Sequence, residues 1–294
     1  MSSKLFLNDP LETSNPNLSS VRNGHNVQHQ SELLAATGPP DVWRSPDAIV
    51  DPVVSLIVPA LNEEKLIERT LKAFPREVRE QHRVELIVSD GGSNDQTHTI
   101  ASNHADIIAR HTESRRQTIA EGRNMGAAQA KGDILVFINA DTVPQNPDEF
   151  VRAVSEFVDG ANPEVVAFAC PVHIAPEERH WSDSIFHNFF NNYVRMLNTI
   201  GLGMGRGECQ IVRHKAFKTV GGYEKHMAAG EDFDLYRRLT SKGRIGHRHE
   251  FGVFESPRRF RRFGYIRVLF EWTLNALAVM TLGRSISKEW EEIR

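Results

Sequence analysis

The sequence predicts an α/β fold, a mostly parallel sheet flanked by helices with a helical extension at the carboxyl end. Three observations carry that prediction. Short apolar runs alternate with helix-length amphipathic stretches between about residues 53 and 142, and such alternation is how crossovers join parallel strands. The runs are continuously apolar, as in strands covered on both faces. Each run ends in a polar loop, and these loops gather at the carboxyl edge of the sheet, where open α/β sheets hold ligands.

Residues 1–48 are rich in Ser, Asn, Gln, His and Pro and read as a mobile leader, since such composition buries little apolar surface. The domain is expected over 49–255, with a first half at about 53–142 and a second at about 143–255. Val53–Val58 is a buried strand. Asn62 with the acids after it predicts a helix start, the helix running to about Phe74. Val84–Val88 is the next strand, followed by a turn-rich loop through Asp90 and Asp95 and a helix over Thr97–Asn103. Ile107-Ile108 is a short strand. Thr118–Ala130 is a helix whose Gly122, Gly126, Ala127 and Ala128 permit close backbone approach. Ile134–Ile138 is a strand, Glu149–Val158 a helix and Val165–Val172 a strand. Trp181–Ile200 predicts a long amphipathic helix, Cys209–Arg213 a strand, and Gly230 a helix start. Residues 256–294 form a basic, then amphipathic, helical tail.

The chain has 294 residues and a net charge of −3, so bulk charge gives no sign of a nucleic-acid partner. Two cysteines, Cys170 and Cys209, form neither a disulfide framework nor a zinc cluster and fit a reducing compartment. The amino terminus does not read as a secretory signal, and no apolar run is long and clean enough to span a membrane. A cytoplasmic location is expected.

Chemistry concentrates after the strand Ile134–Ile138, where Asn139 and Asp141 leave a buried strand one residue apart. Residues so spaced on an extended strand point the same way, and their oxygens suit Mg²⁺ or Mn²⁺. A simple polar strand exit with an Asp turn is the competing reading. Likewise Glu231 and Asp232 follow Gly230 where the helix dipole favours acids in any case. Three strands end in polar loops, at 59–64, 89–95 and 139–142, which outlines a crevice of nucleotide size. The glycine fingerprints of dinucleotide sites and phosphate loops are absent, so phosphate would be held by a metal or by basic side chains.

Six motifs in order now carry a resemblance: Val54–Glu64, Ile87–Thr97, Gly122–Asp133, Phe137–Thr142, Val220–Tyr223 and Gly230–Leu235. Together they resemble family 2 glycosyltransferases of the GT-A fold, over roughly residues 53–260. The resemblance implies an inverting, metal-dependent enzyme. It would move a sugar from a nucleoside diphosphate sugar, UDP-sugar favoured, to a hydroxyl acceptor in polysaccharide, lipid-linked glycan or glycolipid synthesis. It implies that Pro59, Ala60, Glu63 and Asp90 line the nucleoside pocket, with Asp90 accepting from the base, and that Arg123 lies near the nucleotide. Asn139-Ala140-Asp141 matches the family's Asp-x-Asp motif, so Asp141 would bind Mn²⁺ or Mg²⁺. Glu231 and Asp232 match the catalytic Glu-Asp pair, with Asp232 as the base. Asn139 departs from the pattern, keeping an oxygen and losing a charge.

In the tail, Ser256–Arg267 interleaves arginines with aromatics, and three readings stay open. Arg258 and Arg259 could close over a diphosphate, since Arg forks match phosphate. The run could rest on anionic lipid as a peripheral membrane contact, or be a solvated basic helix start. Tyr265–Leu282 follows as an apolar helix with a polar stripe at Arg267, Glu271 and Asn275. His247 and His249 could face the site from a strand, against a surface or structural role. Trp181, Phe186, Phe189, Phe190 and Tyr193 could stack on a sugar or form core. A different class also fits Asn139 and the basic tail, a non-catalytic nucleotide- or glycan-binding relative in a membrane assembly. Nucleotidyl transfer lacks the glycine-rich loop it needs.

Overall fold

The computed structural model describes residues 40–158, 162–227 and 229–282. Its main sheet starts at β1 (Asp41–Arg44) and continues with β2 (Val54–Ala60), β3 (Val84–Asp90), β4 (Ile107–Arg110) and β5 (Ile134–Ile138). Between them lie α1 (Ile67–Lys72), α2 (Arg76–His82), α3 (Thr97–Ser102) and α4 (Ile119–Gln129). Then come β6 (Val143–Pro144), α5 (Pro147–Val158), β7 (Val165–Ala169), β8 (Val172–Ile174) and α6 (Trp181–Thr199). The chain goes on through β9 (Cys209–Arg213), α7 (His214–Thr219), α8 (Glu231–Leu239), β10 (Arg244–Gly246) and β11 (Val253–Glu255). It ends, among the described residues, with α9 (Arg258–Phe263) and α10 (Tyr265–Leu282).

The main sheet has the order β1-β4-β3-β2-β5-β9-β7-β10, and β6-β11-β8 form a small second sheet. Strands β4, β3, β2 and β5 are mutually parallel, whereas β9 runs antiparallel between β5 and β7. The chain moves outward from β2 through β3 to β4 and then returns to β5 on the other side of β2. That reversal opens a crevice at the carboxyl ends of β2 and β5.

Both faces of the sheet are covered, which is why its strands are apolar throughout. Along β2, Leu56 and Val58 join the core on the face of α1 and α5, and Ile57 joins the core around α4. Phe137 meets Phe217 and Tyr223 at centroid distances of 5.4 and 5.2 Å. Each large side chain buried in this way contributes roughly 1.5–3 kcal/mol. Helix α4 lies close to the sheet as its small residues predict. A Cβ on Gly126 would stand 2.5 Å from the Ile57 side chain; Ala128, by contrast, faces solvent.

Several expectations are corrected. The leader expected over 1–48 gives way at its end to β1, which pairs antiparallel with β4 from Asp41↔Arg110 to Arg44↔Ile107. This strand supplies the partner that the edge of β4 requires; residues 1–39 lie outside the described residues. Asn62 does not start a helix. It adopts φ +53° and bridges two loops, its N–H donating to Ser93 Oγ at 2.9 Å and its Oδ1 accepting from Asn94 N–H at 2.8 Å. The helix begins only at Ile67. Helix α2 escapes an apolar-pattern reading because its buried contact is made by Arg79, paired with Asp106 and donating to the Phe74 and His104 carbonyls. The run Val165–Val172 is two strands in two sheets, broken at Cys170-Pro171, since Pro cannot donate to a ladder. His247 and His249 are exposed; His249 sits in a 3-10 turn and neither lines the crevice. The expected tail helices appear as α9 and α10, and the part of the tail over 283–294 lies outside the described residues.

Candidate active site

The crevice between β2 and β5 deepens into a cavity of about 460 Å³. The exit of β2 supplies Pro59, Ala60 and Glu63, and the exit of β5 supplies Asn139, Ala140 and Asp141. The β5 exit is tied from both sides. Thr70 Oγ1 donates to the Ala140 carbonyl at 2.7 Å, and Asn139 N–H donates to the Glu208 carbonyl at 3.1 Å. The amino end of α4 contributes Arg123, and α8 brings Glu231 and Asp232 after Gly230, whose φ of +77° turns the chain into the helix. Arg258 and Arg259 close the cavity from α9.

One buried arginine joins three of these elements. Arg123, 1 % exposed, donates to Glu231 Oε1 at 2.6 Å, to the Gly207 carbonyl at 2.6 Å and to Asn139 Oδ1 at 3.2 Å. Asn139 and Asp141 therefore do not act as a side-by-side pair. The strand ends at Ile138, the alternation of directions ends with it, and the Asn139 oxygen turns to Arg123.

Asp232 is left for chemistry. Burial together with the charge of Glu231 pushes its carboxyl up to about 7, Arg123 pulling the other way. Its Oδ1 accepts from the Phe233 N–H at 2.8 Å. A carboxyl held near neutrality is suited to general-base work at physiological pH.

Across the cavity stands a second arginine. Arg258 forks onto Glu63 at 2.8 and 3.2 Å and reaches Asp141 Oδ2 at 3.1 Å. Burial raises the Asp141 carboxyl above its ordinary range, with Arg258 opposing and Glu208 adding to the rise. Glu208 and Glu255 line the same wall. Burial and the Glu208 charge drive Glu255 well above the usual carboxylate range, and the two carboxyls share a hydrogen bond. Arg206, 2 % exposed, donates to Glu255 Oε1 at 3.0 Å and to Glu208 Oε2 at 3.3 Å.

Of the eleven residues expected to bind donor or metal or to act in catalysis, ten line the cavity: Pro59, Ala60, Glu63, Arg123, Asn139, Asp141, with Glu231, Asp232, Arg258 and Arg259. Asp90 does not. It lies beneath the wall formed by Ser89 and Gly91, fully buried, with Oδ1 accepting from Gly92 and Ser93 N–H groups at 3.1 and 2.8 Å. Its Oδ2 has no hydrogen-bond partner and stands 3.6 Å from Arg110 Nε. Of the aromatics on α6, Phe190 reaches the cavity beside Trp272 of α10. Arg206, Glu208 and Glu255 were missed; the available signal was a charged residue at each of two strand ends and inside a glycine-rich segment.

Among the described residues no three His, Cys, Asp or Glu side chains are arranged to hold a metal ion by themselves. Asp141 offers one carboxylate beside the Glu208 charge. Mg²⁺ and Mn²⁺ are commonly bound by one or two carboxylates with water and substrate phosphates completing the shell, and this donor set fits that mode.

The sequence model of Glycosyl transferase family 2 matches residues 55–221, more than half of the chain. The chain belongs to glycosyl transferase family 2. The matched region of this family 2 chain carries both β-strand exits and Arg123, and ends before Asp232. The glycosyltransferase AglE of Haloferax volcanii is 28 % identical over 199 residues, a match covering 65 % of this chain and 62 % of that relative. The chain thus spans less than two thirds of that relative's length. Among solved structures, the mannosyltransferase of Pyrobaculum calidifontis in complex with GDP-Man and Mn²⁺ aligns with a TM-score of 0.53 at 22 % identity, covering 81 % of this chain and 66 % of that one. Glucosyl-3-phosphoglycerate synthase from Mycobacterium tuberculosis, in complex with Mn²⁺, UDP and phosphoglyceric acid, aligns with a TM-score of 0.53 at 19 % identity, covering 78 % and 77 %. The fold is the GT-A fold.

Proposed function

We propose that this chain is an inverting glycosyltransferase that uses a nucleoside diphosphate sugar, UDP-sugar favoured, and a hydroxyl acceptor. The acceptor belongs to polysaccharide, lipid-linked glycan or glycolipid synthesis. The observation that carries the reading is a carboxyl at about 7, Asp232, in one cavity with the Asp141–Arg258 pair. Two proteins of like fold are described in complex with Mn²⁺ and a GDP-sugar or UDP, which supports the same ligand class here.

In this reading the nucleoside lies against Pro59, Ala60 and Glu63, and the diphosphate lies toward Asp141, Arg258 and Arg259. Asp90 supports the nucleoside wall from below by fixing the Gly91–Ser93 turn. Asp141 would hold Mn²⁺ or Mg²⁺, which when bound would supply positive charge for the departing diphosphate. Asp232 takes the proton of the acceptor hydroxyl as its oxygen bonds to the anomeric carbon. The bond from that carbon to the diphosphate oxygen breaks, and the nucleoside diphosphate leaves with the electron pair. Attack from the opposite side inverts the configuration. Glu231 positions Arg123, and its negative charge keeps Asp232 basic. Arg258 exchanges Glu63 and Asp141 for phosphate oxygens, for which its fork is equally suited.

The test is incubation with UDP-sugars and hydroxyl acceptors, following UDP release and the anomeric configuration of the product by NMR. Release of UDP with an inverted linkage is expected. A retained configuration, or no transfer from any nucleoside diphosphate sugar, would overturn the reading.

A further inference from the structure

The two longest helices of the second half carry apolar side chains outward as well as inward. On α6, Trp181, Ile185 and Phe189 follow at four-residue steps, Met196 comes two turns later on the same face and Ile200 stands at the C-cap, and all are more than half exposed. On α10, Ile266, Phe270 and Leu274 make a similar row, Ile266 being 88 % exposed. The helices pack on each other through Phe186 and Phe190 against Trp272, at centroid distances of 6.4 and 5.4 Å. Tyr193, against Phe190, borders this contact on α6, and Leu269 borders it on α10. The two outward rows therefore flank one seam. The rows are interspersed with exposed Asn188, Asn192 and Thr273, but large apolar side chains exposed in such number on two neighbouring helices are uncommon on a protein that meets only water.

Exposed arginines outnumber exposed acids along these two helices. Arg179 stands exposed just before the α6 row and Arg195 beside it, and Arg261, Arg262 and Arg267 stand exposed at the start of the α10 row. Asp183 of α6 is buried, held by Arg261 at 2.5 Å and by the Tyr265 hydroxyl. Glu271 is the acid on α10, and Arg267 pairs with it at 2.8 Å. Glu177 and Glu178, just before α6, face Arg69 of α1. Two-fold pairing of this surface with a second copy would bring arginines toward arginines. An anionic surface with an apolar interior complements it instead. Among the described residues no helix is long and apolar enough to cross a membrane, and a Trp- and Phe-bearing row with arginines beside it is suited to lying within the head-group layer.

We infer that the outward faces of α6 and α10 form a docking surface for an anionic lipid bilayer. Phe190 and Trp272, which join these helices, also line the cavity, so the docked face and the cavity share a wall. The inference is independent of the chemistry assigned to Asp232.

The experiment is sedimentation of the full chain with phosphatidylcholine vesicles and with mixed phosphatidylcholine–phosphatidylglycerol vesicles, at low and high salt. Binding to the mixed vesicles is expected, weakened at least about tenfold by removing the anionic lipid or by salt. Phe189→Glu with Phe270→Glu should abolish it, and Arg195→Glu with Arg262→Glu should weaken it about tenfold. All four positions are exposed, so the melting temperature and nucleotide binding of both variants should stay at the wild-type level. Failure to bind anionic vesicles overturns the inference, as does binding that the Phe189–Phe270 variant retains. A concentration-dependent dimer, lost in that same variant without any vesicle binding, also overturns it and assigns the face to a second copy.

Discussion

Two arginines hold carboxylates in this cavity, and they do so in different ways. Arg123 is nearly inaccessible, its two Nη groups donating to Glu231, Asn139 and a backbone carbonyl. Arg258 bridges Glu63 and Asp141, but its side chain keeps 28 % of its exposure. A buried pair cannot be opened without stranding charge in a low dielectric, whereas a solvent-touched pair exchanges partners at small cost. The first is thus part of the frame, and the second is a contact that a diphosphate can replace. Similar ion pairs differ in role because their burial differs.

The widest separation of these roles is expected at Asp232, which the Arg123 frame supports. Asp232→Asn should lower turnover by about 10²–10⁴-fold while donor binding, read by calorimetry, is kept; full turnover would mean another base. The wild-type rate should climb with pH as Asp232 loses its proton near pH 7. The same shift has a stability consequence. Folding raises this carboxyl from 3.8 to about 7, so the native state binds the proton more tightly. The resulting stability is present below the unfolded value and is lost as pH rises through the folded one. Asp232→Asn should therefore gain melting temperature over the wild type as pH rises from roughly 5 to 8.

Breaking the frame itself comes next. Arg123→Met leaves Glu231 buried without its partner and should cost about 3–5 kcal/mol in denaturant unfolding. A loss below about 1 kcal/mol would show the pair to be no more than a surface-type contact. Donor binding sharpens the other side of the comparison. UDP, GDP, CDP and dTDP, each with and without Mn²⁺, should give one stabilising combination, about 2.7 kcal/mol at a hundredfold excess over its dissociation constant. Asp141→Ala should abolish the part that needs Mn²⁺; unchanged metal-dependent binding would remove Asp141 from the metal role. The smallest effect belongs to Arg258→Ala, which should weaken donor binding about tenfold and leave unfolding within about 1 kcal/mol of the wild type.

The non-catalytic alternative rested on Asn139 and the basic tail. In the fold Asn139 is bonded to Arg123 rather than set beside Asp141, so its missing charge does not weaken the second arginine's wall. A carboxylate at that position would instead add a third charge around Arg123. The basic run divides its work: Arg258 and Arg259 face the cavity, and Arg261 pairs with Asp183.

The sequence by itself determined the parallel half of the sheet, since strands buried on both faces must be apolar throughout and each must end in a polar turn. It also determined where Asn139, Asp141, Glu231 and Asp232 would emerge, because strand exits and helix starts are local events with local signals. Only the tertiary structure decided that Arg123 would take the Asn139 oxygen, that Glu208 and Glu255 would meet under Arg206, and that β1 would close the edge beside β4. It also decided that Asp90 would lie beneath the cavity wall. These outcomes depend on contacts between segments distant in the chain, and on burial, which sets the strength of every charge interaction. Neither quantity is written in the neighbouring residues.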